Sequence, residues 1–294
     1  MTTNNVVSDQ HSVVIQNTAN GQVDFLRFNG STLQASVLRD YGLSGWTVVG
    51  NGDLNGDNLP DLVAQNNSTG QLDFLFLNAT GNLTSSALSN VPVPHAVGLG
   101  VFNSGPAVVT QLANGQLDVL SFNYTAGTLV ASDLIAGTVG LPHAVGVGES
   151  FTSWPVFANV GAAGNDTVLV QYADGTISTL GFSGSLATGL TFTNSFSRGP
   201  LSDTLFALDQ DNDFAHQRDA NVVSVVDGVT RETFDAVGVS ATGQVDIQSW
   251  VSGYGDLSHE GASLGTIHTN FTLSAGWQVV DAGIVDHVSI LPLA

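Results

Sequence analysis

The segment 53–61, with the sequence DLNGDNLPD, combines residue types and a spacing that suit a divalent cation. Calcium takes six to eight hard oxygen ligands at about 2.3–2.6 Å, and one tight loop can supply most of them. Oxygen-bearing side chains alternate along this segment and converge if it curls, which Gly56 permits. The alternative is a turn rich in Asp and Asn that binds no metal. The expected calcium ligands are the side chains of Asp53, Asn55, Asp57 and Asp61 and the carbonyl oxygen of Leu59.

A second acidic cluster, at 209–213, lies where the repeat described below predicts another such loop. The spacing after its last aspartate does not fit a calcium loop, and no glycine follows. A solvated acidic loop is therefore the alternative to a second calcium site. The candidate ligands of this second site are Asp209, Asp211 and Asp213.

The remaining carboxylates do not form a catalytic acid and base pair in the sequence. Glutamate occurs only at 149, 232 and 260, in unrelated contexts. Four aspartates instead share one position of an internal repeat. Because catalytic carboxylates are usually unique, this recurrence indicates an architectural hydrogen bond or an outward polar position. We therefore do not expect an enzyme. The four recurring aspartates are Asp24, Asp73, Asp118 and Asp246.

The charge balance excludes several classes of partner. The chain of 294 residues has 25 acidic residues, five arginines and no lysine, which gives a formal net charge of −20. This charge repels phosphate backbones and anionic lipids, so neither nucleic acid nor membrane insertion is expected, whereas divalent cations are favourable partners. No apolar run reaches the roughly 18 residues that a membrane span requires. The absence of cysteine excludes disulfide bonds and thiolate catalysis.

One eight-residue segment occurs five times and organises the whole chain. Its first copy reads GQVDFLRF, and in four copies it follows a short apolar run that ends in Gln. A polar turn joins the run and the segment, as is typical of a β-hairpin. Another strand candidate follows each hairpin. The next strand begins at Trp46, His95, His143 and Trp277, with a degenerate copy at Thr204, and we align the two histidines with Trp46.

About four short strands per unit of roughly 45–50 residues predict the blades of a β-propeller. The chain begins with a hairpin that lacks its Trp/His strand, and it ends with a Trp strand that lacks its hairpin. We therefore predict an all-β propeller of five blades, each with four antiparallel strands, in which the N- and C-terminal segments share one blade. We expect a single domain over 1–294, with insertions near 152–166 and 210–234.

The stretch from Trp46 to Leu77 resembles an FG-GAP or VCBS-type propeller repeat. A Trp strand, the pattern D-x-N-G-D-x-x-x-D-L-V and a hairpin with T-G-Q-L carry this resemblance. The other copies match the strands but mostly not the calcium loop. The resemblance implies calcium at the five ligands named above, in a loop that joins the inner strands of a blade. It also implies extracellular binding, adhesion or a lectin-like role.

We expect a secreted, calcium-binding, non-enzymatic protein for adhesion, or a self-assembling structural protein of the cell surface. A carbohydrate-binding lectin and a glycan-active enzyme are the alternatives. The expected partners are copies of the same chain in a homo-oligomer or surface assembly and, for a lectin, glycans. Residues 1–20 lack the charged and apolar regions of a signal peptide. We therefore expect export to the cell surface or beyond without a cleaved N-terminal signal.

Overall fold

A computed structural model of the chain shows a fold built almost wholly from β-strands. The helix that it describes is one 3-10 turn, Tyr124–Ala126. No helix among the described residues has the length and apolar character needed to cross a membrane. The structure describes residues 10–57, 59–102, 105–142, 144–148, 167–174, 176–198, 204–208, 223–226, 229–252 and 263–282.

The strands form five antiparallel sheets, which are the blades, and each blade is ordered below from its innermost to its outermost strand. Blade 1 contains β21 (Trp277–Ala282), β1 (Gln10–Asn17), β2 (Val23–Asn29) and β3 (Thr32–Arg39). Blade 2 contains β4 (Trp46–Gly52), β5 (Asp61–Asn66), β6 (Gln71–Leu77) and β7 (Leu83–Pro92). Blade 3 contains β8 (His95–Val101), β9 (Pro106–Gln111), β10 (Leu117–Asn123) and β11 (Thr128–Leu134). Blade 4 contains β12 (Ala144–Gly148), β13 (Thr167–Gln171), β14 (Ile177–Ser185) and β15 (Gly189–Arg198). Blade 5 contains β16 (Thr204–Leu208), β18 (Val229–Val239), β19 (Gln244–Ser252) and β20 (Ser263–Thr272).

The innermost strands form a closed ring. Each contacts the innermost strands of the two neighbouring blades, in the cycle β4, β8, β12, β16, β21 and back to β4. Strand β21 from the C-terminal part pairs with β1 from the N-terminal part, from Val13 opposite Ala282 to Asn17 opposite Trp277. The five-bladed propeller and the sharing of one blade by both ends of the chain are therefore confirmed.

The hydrophobic core lies between neighbouring blades. Consecutive residues of a second strand face opposite neighbours, since Leu62 packs in the cluster shared by blades 1 and 2 and Val63 in the cluster shared by blades 2 and 3. The Phe74 ring of blade 2 meets Phe122 and Tyr124 of blade 3, with ring centroids 5.2 and 5.0 Å apart. Because both faces of a blade are buried, its middle strands read as continuous apolar runs.

The predicted alignment of His95 with Trp46 is wrong by one residue. Each of these innermost strands has a β-bulge against the second strand, and the bulge ends at Gly50 in blade 2 and at Gly98 in blade 3. Counting back from these glycines, His95 corresponds to Thr47. Runs such as W-T-V-V-G and H-A-V-G do not reveal which residue is the extra one of a bulge.

The two predicted insertions have different outcomes. Residues 152–166 lie outside the described residues. In the second range, 210–234, the structure describes β17 (Val223–Val226) and the start of β18, so this described part is strand rather than an inserted loop. Strand β17 pairs with β18 from Val223 opposite Glu232 to Val226 opposite Val229. Blade 5 therefore carries one short strand more than the four that the repeat predicts.

A glutamine at the end of the second strand ties each of three blades to the next one. The Gln111 Nε2 atom donates to the Pro142 carbonyl at 2.8 Å, and Oε1 accepts from the Ala144 N–H at 3.0 Å. Gln16 and Gln65 make the same pair of bonds from blade 1 to blade 2 and from blade 2 to blade 3. A glutamine amide carries a donor and an acceptor as a peptide group does, so it bridges the gap between two blades.

Replacing one bridging glutamine should destabilise the ring. We expect Gln111→Met to lower the free energy of unfolding by about 2–4 kcal/mol, because a buried carbonyl and a buried N–H each lose a partner. The matched control is Gln34→Met at an exposed position of β3, which should change it by less than about 0.5 kcal/mol. Urea denaturation followed by circular dichroism measures both. Equal stabilities of the two variants would contradict the bridging role.

Candidate metal centre

The candidate calcium loop joins β4 to β5, the two innermost strands of blade 2. Leu54 is 7% exposed and packs in the core between blades 2 and 3, so the loop is anchored to the blade interface. Gly56 has φ of +80°, a conformation that side chains rarely adopt, and it allows the chain to curl as predicted. The loop is thus a tight turn on a rigid base.

Hydrogen bonds within the loop bring the first three predicted ligands together. Oδ1 of Asp53 accepts from the Gly56 and Asp57 N–H groups at 2.7 and 3.1 Å. Oδ1 of Asn55 accepts from the Asp57 N–H at 2.8 Å, and Oδ1 of Asp57 accepts from the Leu59 N–H at 2.9 Å. The Asn55 Nδ2 atom donates to Asp57 Oδ2 at 3.1 Å. The side chains of Asp53, Asn55 and Asp57 therefore lie close together at the surface of the loop.

Asp61, the first residue of β5, lies beneath this surface and is fully buried. Its Oδ2 accepts from the Leu54 N–H at 3.1 Å and its Oδ1 from the Leu77 N–H at 2.9 Å. Burial raises the pKa of Asp61 to about 7; the two backbone hydrogen bonds lower this pKa, and the charges of Asp57 and Asp53 raise it. The loop therefore places a buried carboxyl group close to two further carboxylates.

The side-chain oxygens of the loop mostly accept hydrogen bonds from the backbone N–H groups of the loop itself. Among the described residues, no group of three or more His, Cys, Asp and Glu side chains has the geometry to hold a metal ion. The donor chemistry nevertheless fits calcium. A carboxylate oxygen has two lone pairs, and each oxygen of Asp61 uses one of them for a backbone N–H. The neighbouring carbonyl donor, Leu59, is half-buried beside the same turn.

The second predicted calcium site lies outside the described residues, since these do not include Asp209, Asp211 and Asp213. It stays a prediction. Two of the three glutamates, at 149 and 260, also lie outside the described residues, and Glu232 is a β18 residue opposite Val223 of β17.

The recurring aspartates have the architectural role that their repetition predicts. The Asp24 carboxylate accepts from the Ser36 hydroxyl, with distances of 2.9 and 2.8 Å to its two oxygens. The Asp118 carboxylate accepts a hydrogen bond, at 3.0 Å, from a serine hydroxyl on the outermost strand of the same blade. In blade 5, Nδ1 of His268 lies 3.1 Å from Asp246. The sequence shows the recurring acid, but its partner on the next strand follows only from the strand register.

The electrostatics of this position predict a pH effect on stability. Burial raises the pKa of Asp24, and the hydrogen bonds from Ser36 and the Val37 backbone only partly offset it. A carboxyl whose pKa is higher in the folded than in the unfolded protein binds its proton more tightly when folded. Its contribution to stability therefore falls as the pH rises from the ordinary value of 3.8 through the raised folded value.

We accordingly expect the stability of Asp24→Asn to fall less than that of the wild type between about pH 4 and pH 7, because the titrating carboxyl group is absent. Asp40→Asn, which removes one charge from an exposed position, is the matched control. Urea midpoints measured across this pH range provide the comparison. The same pH slope in both variants would show that the buried carboxyl has no part in it.

Comparisons with known proteins show similarity of fold alone. No protein-family model matches the sequence, and a search of curated proteins finds no match either. The solved structures that match include one titled "Structure of Dos1 propeller", with 13% sequence identity and a TM-score of 0.37. That match covers 92% of this chain and 63% of the other, so this chain spans less than two thirds of the length of that protein. The assignment as a five-bladed β-propeller rests on the strand pairing.

Proposed function

We propose that this chain is a calcium-stabilised propeller that acts outside the cell, as an adhesion or self-assembling surface protein without catalytic activity. The observation that carries the proposal is Asp61, a buried carboxyl at the junction of two innermost strands. Among the described residues, the charges that act on it are the negative ones of Asp57 and Asp53. A divalent cation would compensate this cluster and fix the loop.

The chain would hold calcium through the five oxygen donors that the sequence identifies. Three of them, on Asp53, Asn55 and Asp57, are already folded over one another by hydrogen bonds. The Leu59 carbonyl and Asp61 would complete the protein donors. Bound calcium supplies neutralisation and a rigid link between β4 and β5. The resemblance to FG-GAP or VCBS-type repeats supports the same set.

The chemistry of the loop supports the proposed location outside the cell. Extracellular calcium modules bind with dissociation constants of about 10⁻⁴ to 10⁻³ M. A loop with three carboxylates, one amide and one carbonyl fits such a module. The net charge of −20 also favours an environment that is rich in divalent cations.

Self-association is supported by the outer rims of the blades. The outermost strands of blades 1 to 3 carry only Arg39 and Asp133 as charged residues, although the chain is strongly acidic. Each of them presents one leucine at the same register position, opposite the recurring aspartate: Leu38, Leu88 and Leu134, which are 48%, 52% and 48% exposed. Neutral edge strands with exposed leucines can pair with another copy, since few charges must be desolvated.

Calcium should raise the melting temperature of the protein. At a calcium concentration about 100 times the dissociation constant, linkage adds about 2.7 kcal/mol, or roughly 5 °C for a domain of this size. We expect Asp57→Asn, which removes an exposed ligand, to abolish most of this rise. Asp40→Asn is the matched control, because Asp40 Oδ1 likewise caps a backbone N–H, that of Gly42 at 3.0 Å. Differential scanning calorimetry with calcium and with EGTA gives both shifts, and an undiminished rise in Asp57→Asn would refute the site.

The exposed leucines should drive association between copies. We expect Leu38→Gln, Leu88→Gln and Leu134→Gln together to reduce the large species that sedimentation velocity detects in calcium, because they remove apolar contact from the outer strands. Val139→Gln is the control, because Val139 is 62% exposed and lies outside these strands, and it should leave the distribution unchanged. A wild-type protein that stays monomeric in calcium, or a triple variant that assembles as well, would contradict the self-assembly proposal.

A further inference from the structure

The register of the innermost strands aligns their residues across all five blades. Each of these strands has a β-bulge against its second strand, and the residue directly after the bulge takes the same pairing position in every blade. In four blades this aligned residue is glycine or alanine, whereas in blade 1 it is an aspartate. Blade 1 thus departs from a rule that the other blades share. The five aligned residues are Gly50, Gly98, Gly146, Ala207 and Asp281.

The glycine at this position serves the contact with the next blade. A Cβ atom at Gly50 would lie 2.8 Å from Cβ of Leu99. A Cβ atom at Gly98 would lie 2.9 Å from Cγ2 of Val147. Leu99 and Val147 are equivalent, since each lies one residue beyond the aligned glycine of its own strand. The contacts between blades 2 and 3 and between blades 3 and 4 therefore bring a glycine against a buried apolar side chain.

The contact between β21 and β4, which we call the closing seam, replaces this combination with two polar residues. Asn51 holds in blade 2 the position that Leu99 holds in blade 3. Its Nδ2 atom donates to Asp281 Oδ2 at 2.8 Å, and the two polar residues are 1% and 5% exposed. At the closing seam, an aspartate against an asparagine thus stands where the other two contacts have a glycine against an apolar side chain.

Stability alone does not account for the polar pair. The Asn51 Oδ1 atom is buried and has no hydrogen-bond partner in the part of the chain that the structure describes. A buried polar atom without a partner lowers stability, and the glycine and leucine of the next contact avoid this loss. A buried polar pair can instead provide specificity, because it penalises a wrong neighbour.

A choice of neighbour exists because one edge of β1 is open until β21 pairs with it. Beside β8 or β12, β21 would bury its carboxylate against Leu99 or Val147, where a Cβ atom alone already lies under 3.0 Å from that neighbour. A strand with glycine at the aligned position, placed beside β4, would leave the Asn51 amide without its acceptor. The slot between β1 and β4 therefore favours a strand that brings an acceptor side chain.

We propose that Asn51 and Asp281 select β21 as the strand that closes the ring. Asp281 identifies the closing strand, and Asn51 identifies the slot that receives it. The pair disfavours closure by β4, β8 or β12 of a second copy of the chain, because each of these carries glycine at the aligned position. It does not oppose an exchange of β21 between copies, which preserves the same contact. This inference goes beyond the proposed function, since it needs neither calcium nor association through the outer strands.

A double-mutant cycle tests the pair. Asp281→Gly leaves the buried Asn51 amide without its acceptor, and Asn51→Leu places the carboxylate against an apolar side chain. Each single variant should therefore unfold at a lower urea midpoint than the wild type. The double variant, Asn51→Leu with Asp281→Gly, recreates the combination of Leu99 with Gly50. Its midpoint should lie above that of either single variant, because the two sites are coupled.

Refolding provides the second readout, because closure by a strand of another copy produces oligomers. Monomer isolated by size exclusion is unfolded in urea and refolded in EGTA at high protein concentration, and native mass spectrometry gives the fraction of oligomer. We expect about tenfold more oligomer from the double variant than from the wild type, which corresponds to about 1.4 kcal/mol of lost discrimination. Val63→Ala, which opens a cavity in the core between blades 2 and 3, is the control. It should lower the midpoint without adding oligomer.

Association through the outer strands would appear before unfolding as well as after it, so the two proposals are tested separately. If a single variant does not fold, refolding of the double variant and the wild type still decides. The selection of β21 is overturned if the double variant refolds to monomer as completely as the wild type does. It is also overturned if the midpoint of the double variant lies at or below those of the single variants, or if Val63→Ala yields as much oligomer.

Discussion

The antiparallel pairing of β1 with β21 is the constraint on which the remaining structure depends. A blade has two apolar faces and buries them only between two neighbours, so an open row of blades would expose one face at each end. The pairing places blade 1 between blades 5 and 2. At the seam with blade 2, Asn51 Nδ2 donates to Asp281 Oδ2 at 2.8 Å, and both residues are buried. This polar contact joins the last strand of the ring to the first complete blade.

Ring closure also determines what the centre of the molecule can contain. Neighbouring innermost strands approach so closely that a Cβ atom at Gly50 would lie 2.7 Å from the backbone nitrogen of Leu99. At Gly98 a Cβ atom would lie 2.9 Å from Cγ2 of Val147. Glycine at these two positions therefore allows neighbouring innermost strands to pack closely. The candidate calcium loop follows one of these innermost strands, whereas the outermost strands carry the exposed Leu38, Leu88 and Leu134.

The sequence predicts the repeated hairpin, because a strand buried on both faces needs an apolar run. It also predicts the shared blade, because the two ends of the chain carry complementary parts of one repeat unit. It does not reveal the bulges, since one extra valine in an apolar run has no signature; the alignment of His95 with Trp46 fails for that reason. At the candidate site, spacing and Gly56 predict the curl of the loop. The backbone hydrogen bonds to Asp61 come from Leu54 and from Leu77 of another strand, so only the fold could supply them.

Hydrogen–deuterium exchange of the segment 53–61, with and without calcium, tests the central claim most directly, because it reports where calcium acts. Calcium that binds this loop reduces its local opening, so the account predicts slower exchange at the amides of Gly56, Asp57 and Leu59. Exchange in distant strands, such as β15, should change far less. Unchanged exchange in the segment at saturating calcium, or slowing spread evenly over all blades, would contradict a calcium site at Asp61.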